Sequence, residues 1–226
     1  MLSRNQIDKL GRRLRDTDQP TDEDLALFIR YQDSLQSLYS DTREQVAAIF
    51  AEVLPNVPFE PSFRRKQLVS AVAKLRREPM ALSTMQDLIG FRVTVPTAVE
   101  QEKLRVNLPA DWRVYDRRQR PSHGYRAVHV VRRTPAGSVE VQIRTQLQHL
   151  WAEFSELLDR HYPGMKHGEG SGAVRFTLDY LSEHIAAVEA IELDPRPERV
   201  EYMVERKERI ILLLEQFTQL ESEGRL

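Results

Sequence analysis

An acid, an amide and a guanidinium recur at alternate positions in Glu140, Gln142 and Arg144, within a β-rich run that ends at Thr145. Side chains alternate across a strand, so these three share one face while Val139, Val141 and Ile143 share the other. A second β-rich run, Tyr125 to Arg133, precedes it across Thr134-Pro135-Ala136-Gly137, and two such runs about a short Pro/Gly loop read as a β-hairpin. The same period puts Tyr125, Ala127 and His129 opposite Val128 and Val130. A carboxylate, an amide, a guanidinium, an imidazole and a phenol can thus gather on one surface with apolar residues anchoring the reverse. Such a face could hold a reactive site, or it could simply meet water as half of an antiparallel sheet does.

A second acid and a row of cations stand upstream. Pro61-Ser62 is read as starting a helix that runs from Phe63 to about Arg77 and ends at Glu78-Pro79. Lys66, Ser70 and Lys74 then share a face at i, i+4 and i+8, with Arg64 within reach. Such a row suits a polyphosphate, and it equally suits a solvated basic face. Ser83 to Gly90 reads as one helical turn closed by glycine, followed by a strand from Phe91 to Val95 that Asp87 enters. On that strand Phe91, Val93 and Val95 face one way and Arg92 and Thr94 the other.

The elements that must position these groups follow from periodicity. Thr21, followed by Asp22, Glu23 and Asp24, caps a helix whose apolar spacing continues from Leu25 to Ile49 and stops near Pro55. Residues 1–19 are charged and weakly amphipathic, with Arg12, Arg13 and Arg15 on a solvated face. Residues 97–106 predict a crossover helix, Trp112 to Arg117 a strand, and Arg117 to Gly124 a basic loop into the hairpin. Gln146 to about His161 is a helix with a core stripe through Trp151 and Phe154. The glycine-rich stretch Tyr162–Gly172 lacks the Lys-Ser/Thr ending of a P-loop. Helices over about 173–192 and 196–222 complete the chain.

The totals exclude some chemistry. With 226 residues and a formal net charge of -1, no global field drives the chain onto nucleic acid or membrane, although 30% charged residues allow local basic patches. There are no cysteines, hence no disulfide framework, thiolate catalysis or cysteine-held zinc. No run approaches the ~18 apolar residues of a membrane span, which gives the expectation of a cytoplasmic protein without membrane contact.

Four blocks in series resemble the synthetase domain of the RelA/SpoT family. Arg64, Lys66, Ser70 and Lys74 resemble its Arg-x-Lys-x-x-x-Ser-x-x-x-Lys, and Asp87 to Arg92 its Asp-hydrophobic-hydrophobic-Gly-hydrophobic-Arg. Gly124 to His129 resembles its Gly-Tyr block, and Glu140 to Thr145 its Glu-hydrophobic-Gln-hydrophobic-Arg-Thr, followed by the similar Gln148 to Glu153. The resemblance implies an α+β, nucleotidyltransferase-like fold: a mixed, mainly antiparallel sheet of about five strands flanked by helices. It divides the chain into an N-terminal helical extension (1–58), a synthetase core (59–170) and C-terminal helices (171–226) on the core or a partner subunit.

It also implies transfer of the β,γ-pyrophosphate of ATP to the ribose 3′-hydroxyl of GTP or GDP, with release of AMP. Arg64, Lys66, Ser70 and Lys74 would bind ATP with Arg92, and Asp87 and Glu140 would hold Mg²⁺, Glu140 also taking the hydroxyl proton. Tyr125, His129, Gln142, Arg144, Arg117 and Arg120 would bind the acceptor. Where family synthetases carry a Lys and an Asn before the Gly-Tyr pair, this chain has Arg120-Pro121-Ser122-His123, which opens the acceptor's identity. No His is followed by Asp, so the resemblance is to small synthetases without a hydrolase. The toxic small relatives are matched as well, which admits tRNA or adenosine nucleotides as acceptor and a neutralising antitoxin protein as partner. Arginines 117, 118, 120, 126, 132 and 133 could then follow an RNA backbone. The terminal helices could also join copies of the chain in a homo-oligomer.

Overall fold

A computed structural model describes residues 2–162, 164 and 172–223. Most of the glycine-rich stretch Tyr162–Gly172 therefore lies outside the described residues. Three helices open the chain: α1 (Arg4–Asp16), α2 (Asp22–Ser34) and α3 (Gln36–Val53). The mixed part follows as β1 (Ser62–Arg65), α4 (Leu68–Arg77), a short 3₁₀ turn at Leu82–Thr84, β2 (Ile89–Val95), α5 (Ala98–Asn107), β3 (Arg113–Asp116), β4 (Val128–Thr134) and β5 (Gly137–Thr145). Then come α6 (Gln146–His161), α7 (Gly172–Leu193) and α8 (Pro197–Ser222).

The strands form a five-stranded sheet in the order β1-β2-β5-β4-β3. Every neighbouring pair is antiparallel except β2 with β5, which run parallel. The expected α+β architecture is therefore present. Period-two alternation sorts the faces: Phe91, Val93, Val95, Val139, Val141 and Ile143 are buried in a core that α1, α2, α3 and α5 complete with Leu10, Phe28, Val46 and Leu104. At about 25 cal/mol per Å² of apolar surface, burial of this face is the main force holding the sheet to the helices. The opposite face carries Arg92, His129, Glu140, Gln142 and Arg144, and α6 packs across it.

α6 belongs to a second core, in which Leu147, Trp151 and Phe154 meet Leu178, Ile185 and Val188 of α7 and Ile210 and Leu214 of α8. Polar contacts fasten α7 to the sheet. Glu189 accepts from Thr145 Oγ1 at 2.6 Å and Gln148 Nε2 at 3.0 Å, where the helix α6 begins. Glu192 accepts from the Ala98 amide at the start of α5 at 2.8 Å. Ser182 donates to the Gly124 carbonyl at 2.6 Å and so holds the loop that enters the hairpin.

Four local readings need correction. The helix expected from Phe63 begins at Leu68; Ser62–Arg65 pair with Ile89–Arg92 as an edge strand, and Gln32 Nε2 pins the turn by donating to the Lys66 carbonyl at 2.8 Å. A sheet ladder here outweighs the local helical signal. Gly90 closes no helical turn; it lies inside β2, opposite Glu140. The long helix from Thr21 breaks at Leu35, where the Ser34 hydroxyl takes the Tyr31 carbonyl at 2.6 Å and Leu35 N–H turns to Gln32 O at 3.1 Å. Residues 1–19 are more than a charged tip: Ser3 and Gln6 form a capping box, and α1 buries Ile7, Leu10 and Leu14.

Gly90 is the position that no other residue could fill. A Cβ added there would lie 2.0 Å from the Glu140 carbonyl oxygen, so the parallel strands could not close at this rung. Gly90→Ala is expected to lower the unfolding free energy by more than about 2 kcal/mol, as overpacking against backbone does. Urea denaturation checks this, and unchanged stability would contradict the close approach.

Candidate active site

The polar face of β5 and the segment leading into β2 border one open cavity of ≈ 550 Å³. Its walls include Asp87, Glu140, Gln142 and Arg144, with Tyr125 and His129 beside them and Arg64, Lys74 and Arg117 at the basic side. The Gly90–Glu140 rung places Asp87, three residues before Gly90, at the same end of the sheet as Glu140. Asp87 is close enough to Glu140 that its charge opposes ionisation of Glu140.

Each acid has its own partners. Asp87 accepts from Lys66 Nζ at 2.8 Å and Lys74 Nζ at 3.1 Å. Burial works against its charge, yet the two ammonium groups hold its pKa below the usual range. Glu140 accepts from His129 Nδ1 at 2.8 Å and from Gln142 Nε2 at 2.8 Å. Burial again opposes the charge, and these hydrogen bonds outweigh it, so Glu140 also sits below the ordinary carboxylate range. Both acids are ionised at neutral pH.

The far side of this face is strongly cationic. Arg144 is 3% exposed, and its Nε and that of Arg92 are buried without a hydrogen-bond partner. Burial and then the neighbouring Arg144 guanidinium pull Arg92 below the usual guanidinium range, against the pull of Glu156. Buried donors without partners are rare, and a corner of this kind is suited to an anionic ligand.

Tyr125 stands outside β4, which begins at Val128, and reaches the site from a tight turn. The Tyr125 amide donates to the Ser122 carbonyl at 3.0 Å, and His123 and Gly124 between them have φ of 52° and 85°. That pair of positive φ angles defines a type I′ turn. At Gly124 a Cβ would also meet the Trp151 ring at 2.7 Å, so the turn is seated directly on α6.

Not every expected residue reaches the cavity. Lys66 is in the turn after β1 and meets Lys74 at Asp87 instead of sharing a helix face with it. Ser70 is exposed on α4, Arg120 is exposed in the basic loop, and Arg92 lies behind the wall; none of the three lines the cavity. Conversely, Arg77, Glu78, Ser122, His123, Trp151, Ala152, Ser155 and Glu156 line it and had no assigned part. The α6 residues were hidden because Trp151 reads as part of a core stripe, which it also is: its indole N–H donates to the Leu178 carbonyl at 2.9 Å. Three of the six loop and hairpin arginines are engaged internally. Arg118 pairs with Asp116 and Glu102, Arg126 donates to Ser182 at 3.0 Å, and Arg132 lies 5.8 Å over the Trp112 ring.

Among the described residues no group of three or more His, Cys, Asp or Glu forms a ready-made metal cage. The donor set nevertheless fits Mg²⁺, which takes one or two carboxylates and leaves its other positions to water and substrate phosphates. Also among the described residues, no helix is long and apolar enough to cross a membrane.

Residues 63–164 match the family model described as "Region found in RelA / SpoT proteins". An uncharacterised protein of Mycobacterium tuberculosis is 37% identical over 177 residues, which are 74% of this chain and 63% of that protein. The chain thus spans less than two thirds of the length of the curated relatives it matches. Among solved structures, the small alarmone synthetase 1 of Bacillus subtilis bound to its product pppGpp superposes with a TM-score of 0.58 at 23% identity, covering 79% of this chain and 98% of that one. A GTP pyrophosphokinase family protein of Streptococcus pneumoniae gives 0.55 at 22% identity, covering 81% and 98%. Residues 63–164 are thus similar to a region found in RelA / SpoT proteins, and the chain has the fold of the small alarmone synthetases.

The floor under the basic loop yields a pH prediction. Arg105 first and then Arg118 hold Glu102 down to about 2 against partial burial. A carboxylate depressed in the folded state adds stability above its ordinary value of 4.5 and loses it as pH falls towards about 2. Urea midpoints should therefore fall across that window, and the fall should be shallower in Arg118→Gln. Parallel curves for the two proteins would contradict the pairing.

Proposed function

We propose that this chain is a pyrophosphokinase that moves the β,γ-pyrophosphate of ATP to the ribose 3′-hydroxyl of GTP or GDP. The observation that carries the reading is that Asp87 and Glu140, both ionised, border one cavity with Arg64, Lys74 and Arg117. Phosphoryl-type transfer needs alignment and charge neutralisation more than covalent help, and this is a site of that kind. The family match and the small-synthetase fold support the same reading.

In the proposed reaction the acceptor's 3′ oxygen bonds to the β-phosphorus. The bond from that phosphorus to the oxygen bridging the α-phosphate breaks, and AMP leaves with the bridging oxygen. The hydroxyl proton passes to Glu140, which must come within hydrogen-bond reach of the 3′-hydroxyl. Asp87 and Glu140 would hold Mg²⁺, whose chemistry is to neutralise phosphate charge. Lys66 and Lys74 sit against Asp87, placed to contact the same phosphates, and Arg64 borders the cavity where the adenine would lie. Arg144 adds positive charge from the wall and Arg92 from behind it. The ring of Tyr125 offers a base a stacking surface, a contact typically contributing ~1–3 kcal/mol. Ser70 and Arg120, lying outside the wall, are left out of the binding set.

A free nucleotide is favoured over tRNA because three of the six arginines that could follow an RNA backbone, Arg118, Arg126 and Arg132, are already engaged within the fold. Such an enzyme would work in the cytoplasm, where its nucleotides are. Exposed Val204, Leu212 and Leu213 on α8 leave room for assembly into a homo-oligomer.

The test supplies ATP labelled on its terminal phosphates with GTP, GDP, ATP or bulk tRNA. Label is expected in GTP or GDP. Glu140→Gln and Asp87→Asn should each slow transfer at least about a hundredfold while the fold is kept. Label in no acceptor would remove the enzyme reading, label in tRNA alone would replace the acceptor, and activity kept in either variant would refute that residue's role.

A further inference from the structure

Glu140 is the terminal acceptor of a hydrogen-bonded ring that the acceptor-binding roles above do not use. Arg144 donates from one terminal nitrogen to the Tyr125 hydroxyl oxygen at 3.0 Å and to Gln142 Oε1 at 3.3 Å. Tyr125 Oη lies 2.9 Å from His129 Nε2, and His129 Nδ1 lies 2.8 Å from Glu140 Oε1. Gln142 Nε2 closes the ring on Glu140 Oε2 at 2.8 Å.

The directions of these bonds are fixed by which atoms have protons to give. A carboxylate only accepts, so the hydrogen between His129 and Glu140 belongs to Nδ1. In a neutral imidazole Nε2 is then bare and accepts from the Tyr125 hydroxyl, whose oxygen in turn accepts from Arg144. Of the two neutral tautomers, only Nδ1–H with a bare Nε2 satisfies every contact. The ring lies at the edge of the cavity, with the His129 and Glu140 side chains only 14% and 13% exposed. Tyr125 is further braced edge-on to His129, the ring centroids 5.6 Å apart, with the Arg144 guanidinium 5.1 Å over its own ring.

We propose that the Tyr125 hydroxyl is a positioning group for Glu140, acting through His129 and itself held by Arg144. Tyr125 then has two separable parts: a ring beside the acceptor and a hydroxyl that fixes the imidazole, which aims the carboxylate. The kinetic consequence rests on the pyrophosphokinase reading, whereas the tautomer of His129 does not.

The experiment uses the full chain with ¹⁵N-labelled histidine, and His129→Asn identifies the His129 signals by their loss. The expected spectrum has Nδ1 protonated and Nε2 bare, with the Nε2 signal shifting in Tyr125→Phe as its donor is removed. An Nε2-protonated His129, or an Nε2 signal that Tyr125→Phe does not move, overturns the inference even if no acceptor is ever labelled. In the transfer assay Tyr125→Phe keeps the ring and should lower kcat about tenfold, the scale of one lost buried hydrogen bond, with KM for the acceptor unchanged. Asparagine at position 129 keeps a donor for Glu140, so His129→Asn should retain more kcat than His129→Ala. In that background Tyr125→Phe should cost nothing further. Full kcat in Tyr125→Phe, or equal loss in both His129 variants, would overturn the relay. Circular dichroism confirms that each variant folds.

Discussion

Everything in the site hangs from the rung where β2 passes β5 at Gly90 and Glu140. A parallel pair can approach so closely here because one partner has no side chain; a single added carbon would lie 2.0 Å from the other strand's carbonyl oxygen. That approach sets Glu140 on the polar face and carries Asp87, three residues earlier, to the same end of the sheet. The apolar reverse face, from Phe91 to Ile143, supplies the burial that makes the register stiff. Two carboxylates are thereby held near each other despite their repulsion, and each is stabilised by its own partners, ammonium groups for Asp87 and the His129 imidazole with the Gln142 amide for Glu140.

The cations fall into two sets. Arg118, Arg126 and Arg132 belong to the scaffold: they tie the basic loop to α5 and α7 and brace the outer strands. Arg64, Lys74, Arg77 and Arg117 border the cavity. α7 underpins the arrangement, since Glu189 secures the start of α6 and Ser182 secures Gly124. Burial pushes Glu189 up against the hydrogen bonds of Thr145 and Gln148 and the weaker pull of Arg126, as fits a structural acid.

Much of this was legible in the residues. Strict alternation gave the two faces of β2 and β5, and Gln146–His161 proved to be a helix at about the bounds its apolar stripe implied. The meeting of Asp87 and Glu140 was what the resemblance of their two motifs to the RelA/SpoT synthetase domain implied. What could not be read were features decided across the chain. Ser62–Arg65 became a strand because β2 offered an edge, and Leu35 broke a helix through a competing serine hydroxyl. The ring through Arg144, Tyr125, His129, Glu140 and Gln142 depends on which donor meets which acceptor, and residue types alone leave several pairings open. Trp151 was assigned to core packing, correctly, but one side of a core helix can also be the wall of a site.

The most direct test of the account is a crystal structure of the protein with Mg²⁺ and an ATP analogue that cannot be cleaved between its α- and β-phosphates. The account predicts one metal bound by an oxygen of Asp87 and an oxygen of Glu140, each at about 2.0–2.1 Å, with the β-phosphorus turned towards Glu140. A nucleotide seated elsewhere, or a metal bound by neither carboxylate, would contradict it.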